Sequence, residues 1–241
     1  MLRREDGDRA IRLTLARPDR GNALTGELLD ALADAVADAE GPIVVAGAGD
    51  VFCTGGDLAD LAAASRDPDA ARRFVERLVG ALDVVERHDA PVVASVDGAA
   101  LGGGFELVAA ADVAVASERA SFGLPETTVG LTTPLTSERV TAIAGKKRMM
   151  RLSLTDETVD AGTAERWGLV NHAVPSDEVA DSVDAYLERF AAADPAALAT
   201  TKERVLGTVR PDGWRDRAVE TMVERLTAVE TRDRLERAAE G

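Results

Sequence analysis

A chain of 241 residues with 46% hydrophobic and 29% charged residues can build one large α/β core and needs no second globular domain. The formal charge of −15, from 43 acidic against 28 basic residues, argues against a nucleic-acid surface, and no apolar run is long enough to span a bilayer. The expectation is a soluble, cytoplasmic protein without nucleic-acid or membrane partners. Apart from Lys146, Lys147 and Lys202, every basic side chain is arginine. Such a carboxylate-rich surface suits a halophile, because salt at about 1 M shortens the Debye length to about 3 Å and screens self-repulsion. Cys53 is the only cysteine, so no internal disulfide forms, and its spacing to His88 and His172 gives no metal site.

Residues 10–16 (AIRLTLA) alternate apolar and polar side chains and end at Pro18 and Gly21, a strand leading into a turn. Thr25 is placed to cap a helix whose apolar positions Leu28, Leu29, Leu32 and Val36 recur at helical spacing before Gly41-Pro42 stops it. Residues 43–48 (IVVAGA) form an apolar run with the pattern of a strand covered on both faces. The unit then recurs: a helix over 70–87, a break at Pro91, the strand PVVASV, the glycines 102–104, the apolar helix FELVAAAD, and a further strand VAVAS at 113–117. This alternation predicts an α/β fold of stacked ββα or βαβ units. From about Asp177 onward the pattern is helical. The division expected is a core over 1–180 that carries the active site, and a helical oligomerisation region over 181–241 that leans on a neighbouring subunit for lack of its own core.

Two glycine turns follow buried strands, FCTGGDL at 52–58 and ALGGGFEL at 100–107. Glycine there opens backbone angles closed to other residues and leaves amide N–H groups uncovered. If Gly103 opens the following helix, its amide is an unpaired donor at the positive end of the helix dipole, and two such donors meeting at one oxygen would stabilise an oxyanion. Tight packing alone also explains each turn. Glu106 lies on a helix apolar on nearly every face, where desolvation would raise its proton affinity into a useful range, although a first-turn glutamate paired to an arginine is the plainer reading. Glu126 follows Pro125 in an apparent loop, where most glutamates are simply solvated.

Five blocks in register, LARPDRGNAL (15–24), FCTGGDL (52–58), residues 90–117, FGLPETTVGL (122–131) and ERWGLVNHAV (165–174), resemble the enoyl-CoA hydratase/isomerase (crotonase) family over roughly the first three quarters of the chain. The resemblance implies a spiral of ββα units with a C-terminal helical region, assembled as a homotrimer or dimer of trimers. It implies an acyl-CoA thioester substrate and no cofactor beyond the coenzyme A that the substrate carries. By motif position, Gly56 and Gly103 match the amides that hold the thioester oxygen, Glu106 and Glu126 match the two hydratase glutamates, and Arg20, Ala23, Leu24, Gly55, Asp57 and Leu58 match stretches lining the coenzyme-A site. The activity implied is syn addition of water to a 2-enoyl thioester. Double-bond isomerisation is the alternative, and a catalytically silent acyl-CoA-binding scaffold stands behind both. The chain departs from the family after Gly130, where LTTPLTSERV replaces a Pro-Gly-x-Gly-Gly segment and Pro134 lacks the N–H of the glycine expected there.

Overall fold

The computed structural model describes residues 1–209 and 213–240, apart from the side chains of 134, 135, 138 and 209. Among these, ten strands follow in chain order: β1 (Leu2–Asp6), β2 (Ile11–Leu15), β3 (Ile43–Gly47), β4 (Val51–Cys53), β5 (Val92–Val96), β6 (Ala99–Leu101), β7 (Val113–Ser117), β8 (Ser121–Gly123), β9 (Thr158–Asp160) and β10 (His172–Val174). The helices are α1 (Gly26–Ala37), α2 (Leu58–Ala64), α3 (Pro68–Arg87), α4 (Gly103–Ala110), α5 (Pro134–Ala144), α6 (Lys146–Thr155), α7 (Ala161–Trp167), α8 (Val179–Ala191), α9 (Pro195–Val209), α10 (Trp214–Thr227) and α11 (Val229–Glu240). No helix among the described residues is long and apolar enough to cross a membrane.

The strands form two sheets. One runs β1-β2-β3-β5-β7-β10, parallel except for the β1–β2 hairpin, and the other runs β4-β6-β8-β9. Each repeat gives one strand to the large sheet and the next to the small one before turning into helix: β3, β4, α2; β5, β6, α4; β7, β8, and then the 3₁₀ turn Pro125–Val129 that leads to α5. The repeat is therefore ββα. The second strand of each pair is only three residues long, too short to show a period in sequence.

Local chemistry sets the boundaries. The Thr25 hydroxyl accepts from the Leu28 amide at 3.2 Å and starts α1 as its sequence predicts. Asp67 caps α3, with Pro68 in the first turn. The predicted helix FELVAAAD begins two residues earlier, at Gly103, and ends at Ala110; beyond it Asp112 accepts from the Val92 amide at 2.7 Å and from Lys202 at 2.6 Å.

The central strands β3, β5 and β7 read as almost wholly apolar because both faces of the large sheet are covered there. Leu13, Leu15, Ile43, Val45, Val92 and Ala94 face the main core, while Val44, Val93 and Val115 pack against Val179, Val183 and Leu187 of α8. The division expected at 180/181 falls inside α8, and the later helices share the main core through the buried Trp214, Leu226 and Leu235. α10 packs on α3, and α11 packs on α2. These two helices find their core within their own chain. Leu235→Ala should then cost about 2–5 kcal/mol and shift one cooperative unfolding transition; a separate C-terminal unit would instead melt in a transition of its own, visible by calorimetry.

Candidate active site

The glycine turns after β4 and β6 are pressed together. Gly55 (φ 97°) and Gly102 (φ 51°) adopt the left-handed backbone that other residues avoid. A side-chain carbon on Gly55 would lie 3.1 Å from the Gly103 nitrogen, and one on Gly103 would lie 3.7 Å from the Gly56 nitrogen. The two loops therefore meet at their backbones. Gly103 is the first residue of α4, whose N-cap Gly102 has no side chain to offer. Among the described residues, neither the Gly56 nor the Gly103 amide donates to a protein acceptor.

The loop over 17–24 holds the first turn in place. Leu24 donates to the Gly55 carbonyl at 2.8 Å and accepts from the Asp57 amide at 3.0 Å, a short parallel bridge that leaves the intervening Gly56 amide turned away from it. Asn22 (φ 53°) is fully buried and donates from Nδ2 to the carbonyls of Ala48 (2.9 Å) and Val51 (2.7 Å), while its Oδ1 accepts from the Arg17 amide at 2.9 Å. Arg17 reaches back to the Ala23 carbonyl at 2.6 Å and to Asp57 at 3.0 Å. Asp57 spends its other oxygen capping α2 through the Ala59 and Asp60 amides. Its side chain thus fixes the turn. Of the coenzyme-A residues implied by the sequence, Arg20, Ala23, Gly55, Asp57 and Leu58 line the cleft, while Leu24, 1% exposed, lies behind the wall and touches the site through its backbone.

Glu106 and Glu126 open onto the same cleft, about 480 Å³ in volume, together with Gly56 and Gly103. Glu106 is 2% exposed and accepts from the Thr136 hydroxyl at 2.7 Å. Burial raises its pKa above the usual carboxylate range, opposed by the Thr136 bonds and the nearby charge of Arg139. Arg139 is itself held bidentate by the buried Glu86, at 3.0 and 2.8 Å. The plainer expectation, Glu106 paired directly to an arginine, is replaced by this chain of threonine, arginine and second glutamate.

Glu126 is half-buried rather than free in a loop. Its Oε1 lies 2.8 Å from where a side chain on Gly102 would begin, and Oε2 is buried without a hydrogen-bond partner among the described residues. Burial first, and then the negative charge of Glu106, push its pKa up to about 8. Burial thus raises the proton affinity of both carboxyls, and the charge of Glu106 adds to the rise at Glu126.

Phe74 and Leu78 from α3, Leu131, and Met222 from α10 supply an apolar wall, and Ala238 and Ala239 of α11 reach the rim. Thr136, Arg139, Glu86 and Asn22 are absent from the sequence-derived site. Asn22 stands inside the LARPDRGNAL block and was within reach of that reading, whereas the other three carry no local signal. The histidines lie elsewhere, His88 against the Gly41 carbonyl at 2.8 Å and His172 against the Tyr186 hydroxyl at 3.0 Å. Cys53 is buried, with its thiol pushed up to about 12 by desolvation, which leaves it inert as a nucleophile. No group of three or more His, Cys, Asp or Glu among the described residues is placed to hold a metal ion.

Comparison with known proteins gives this geometry a context. The profile of the enoyl-CoA hydratase/isomerase family matches residues 6–237. A probable enoyl-CoA hydratase of Rhizobium meliloti is 36% identical over 199 residues, covering 80% of this chain and 76% of that protein. The crystal structure of an enoyl-CoA hydratase from Mycobacterium smegmatis superposes with a TM-score of 0.82 at 30% identity, covering 92% of this chain and 89% of the other. An enoyl-CoA hydratase/isomerase from Xanthobacter autotrophicus Py2 gives 0.88 at 28% identity, covering 99% and 93%. With its ββα spiral, its helical C-terminus and a family match over nearly its whole length, the chain belongs to the enoyl-CoA hydratase/isomerase family.

Proposed function

We propose that the protein is an enoyl-CoA hydratase that adds water syn across the double bond of a 2-enoyl-CoA thioester. The observation that carries this reading is the meeting of two unpaired amides, Gly56 and Gly103, with the buried Glu106 and the half-buried Glu126, both held above the usual carboxylate range, in one cleft. The thioester carbonyl accepts from both amides. Glu106, the carboxylate held by Thr136, takes a proton from water as its oxygen attacks C3. The π electrons move toward C2 and the carbonyl, and the enolate oxygen is stabilised by the amides, which act without reorganising. Glu126, protonated below about pH 8, delivers its proton to C2. The carboxyls then re-equilibrate, completing a cycle that draws only on protein groups, substrate and water.

Isomerisation of a 3-enoyl thioester is the second reading, favoured by the unpartnered Oε2 of Glu126, since a single mobile carboxyl can carry a proton between C4 and C2. Crotonyl-CoA in molar KCl separates the two. Loss of the conjugated enoyl absorbance supports hydration, and turnover confined to 3-enoyl thioesters supports isomerisation.

For hydration, Glu106→Gln and Glu126→Gln should each lower kcat by about 10²–10⁴-fold, the usual range for a positioned acid or base. Undiminished turnover in both would remove them from the chemistry. In the wild type, kcat/KM should fall as pH rises through about 8, because the C2 proton donor is lost, and this basic limb should vanish in Glu126→Gln.

The same proton bears on stability. In the unfolded chain Glu126 titrates near its ordinary value of 4.5, and in the folded chain near 8. The folded state therefore retains a proton that the unfolded state has released. That contribution is complete below about pH 4.5 and is lost as pH climbs toward 8. Thermal denaturation across this window should show Glu126→Gln gaining on the wild type as pH increases; parallel curves would place the carboxyl in water.

A further inference from the structure

The segment after Gly130 leads into the start of α5. Pro134 is the first helical residue, a position where an N–H has no intrahelical partner in any case. The N-cap Thr133 makes no side-chain cap bond. Helix α5 instead directs its first turn at Glu106 on α4: the Thr136 hydroxyl donates to Oε1 at 2.7 Å, and the Thr136 amide bears on the same carboxylate. Thr136 is fully buried, so no water competes for that hydroxyl. A carboxylate from one helix thus stands where a capping residue would stand on another.

We infer that Thr136 is the positioning residue of Glu106, its hydroxyl engaging Oε1 so that Oε2 is the oxygen presented to the attacking water. The inference rests on the proposed role of Glu106 as base. Thr136 contributes a donor fixed to Glu106 on one side. A side-chain hydroxyl locks the carboxyl rotation more firmly than solvent does, and a donor to the charged form favours that form. The other charged or titratable groups around Glu106 are Glu126 from the 3₁₀ turn, Arg139 from α5 with its partner Glu86 from α3, and Cys53 at the end of β4, against which α4 packs at Gly104. Of these, Arg139 is the cation that lowers the proton affinity of Glu106, and Thr136 alone hydrogen-bonds its carboxylate among the described residues.

Thr136→Val is nearly isosteric and removes only the donor. With crotonyl-CoA as substrate it should lower kcat by roughly tenfold or more, leave KM within about twofold, and move the acidic limb of the kcat profile upward, because Glu106 then protonates more readily. Thr136→Ser keeps the hydroxyl and should restore both the rate and the limb. Equal losses in Thr136→Ser and Thr136→Val would trace the effect to the methyl group and overturn the inference. So would wild-type kinetics in Thr136→Val beside an inactive Glu106→Gln, which leaves the base assignment standing. Full activity of Glu106→Gln would remove the base itself and the positioning role with it.

Discussion

The structure depends on the backbone contact between the turns that follow β4 and β6. A side chain at Gly55 would press on the backbone of the second turn, one on Gly103 would crowd Leu24, and one on Gly104 would strike the Cys53 carbonyl directly. Two sheets, two helix starts and both amides are held together by this contact. It requires glycine for its closeness, and at Gly55 and Gly102 also for its left-handed backbone. The Arg17–Asp57 ion pair and the buried Asn22 then lock the turn from the side facing the N-terminal strands. Burial of these polar groups is tolerated because each finds partners, Asn22 on the Ala48 and Val51 carbonyls and Arg17 on Asp57 and the Ala23 carbonyl.

Around that contact the fold supplies carboxyls in graded environments. Glu86 is neutralised by Arg139; Glu106 is buried but supported by Thr136 and by that same arginine; Glu126 is half-buried, with no donor to its Oε2 among the described residues. The gradient runs across three elements separate in sequence. It arises from packing, since α3, α4 and α5 bury one another's inward faces. A buried ion pair such as Glu86–Arg139 adds little net stability once desolvation is counted, but it fixes a positive charge at a defined place, where Glu106 feels it.

The long elements were legible because their periods fill many residues: the Thr25-capped α1, the twenty residues of α3, and the apolar β3 and β5 all stand where the sequence puts them. The small sheet was not, because three-residue strands carry no period, and the C-terminal helices looked coreless because the surface they bury belongs to α2 and α3. At the site, the resemblance of the blocks around the two glycine turns and the two glutamates, rather than their local pattern alone, pointed to the residues that the fold gathers in one cleft. Environment was hidden. Glu126 reads as a loop glutamate until the fold closes over it, and Thr136 reads as one residue of a divergent segment until α5 is seen to begin against Glu106.

The partnerless oxygen of Glu126 links occupancy of the cleft to protons. A ligand that filled the cleft would desolvate the charged form of Glu126 further than the protonated form, and its complex would then hold the proton more tightly than the empty cleft. On the alkaline side of neutrality, ligand arrival would then draw a proton from the buffer, and apparent affinity would weaken with every further rise in pH. Filling of the cleft and protonation of Glu126 would then be one linked equilibrium.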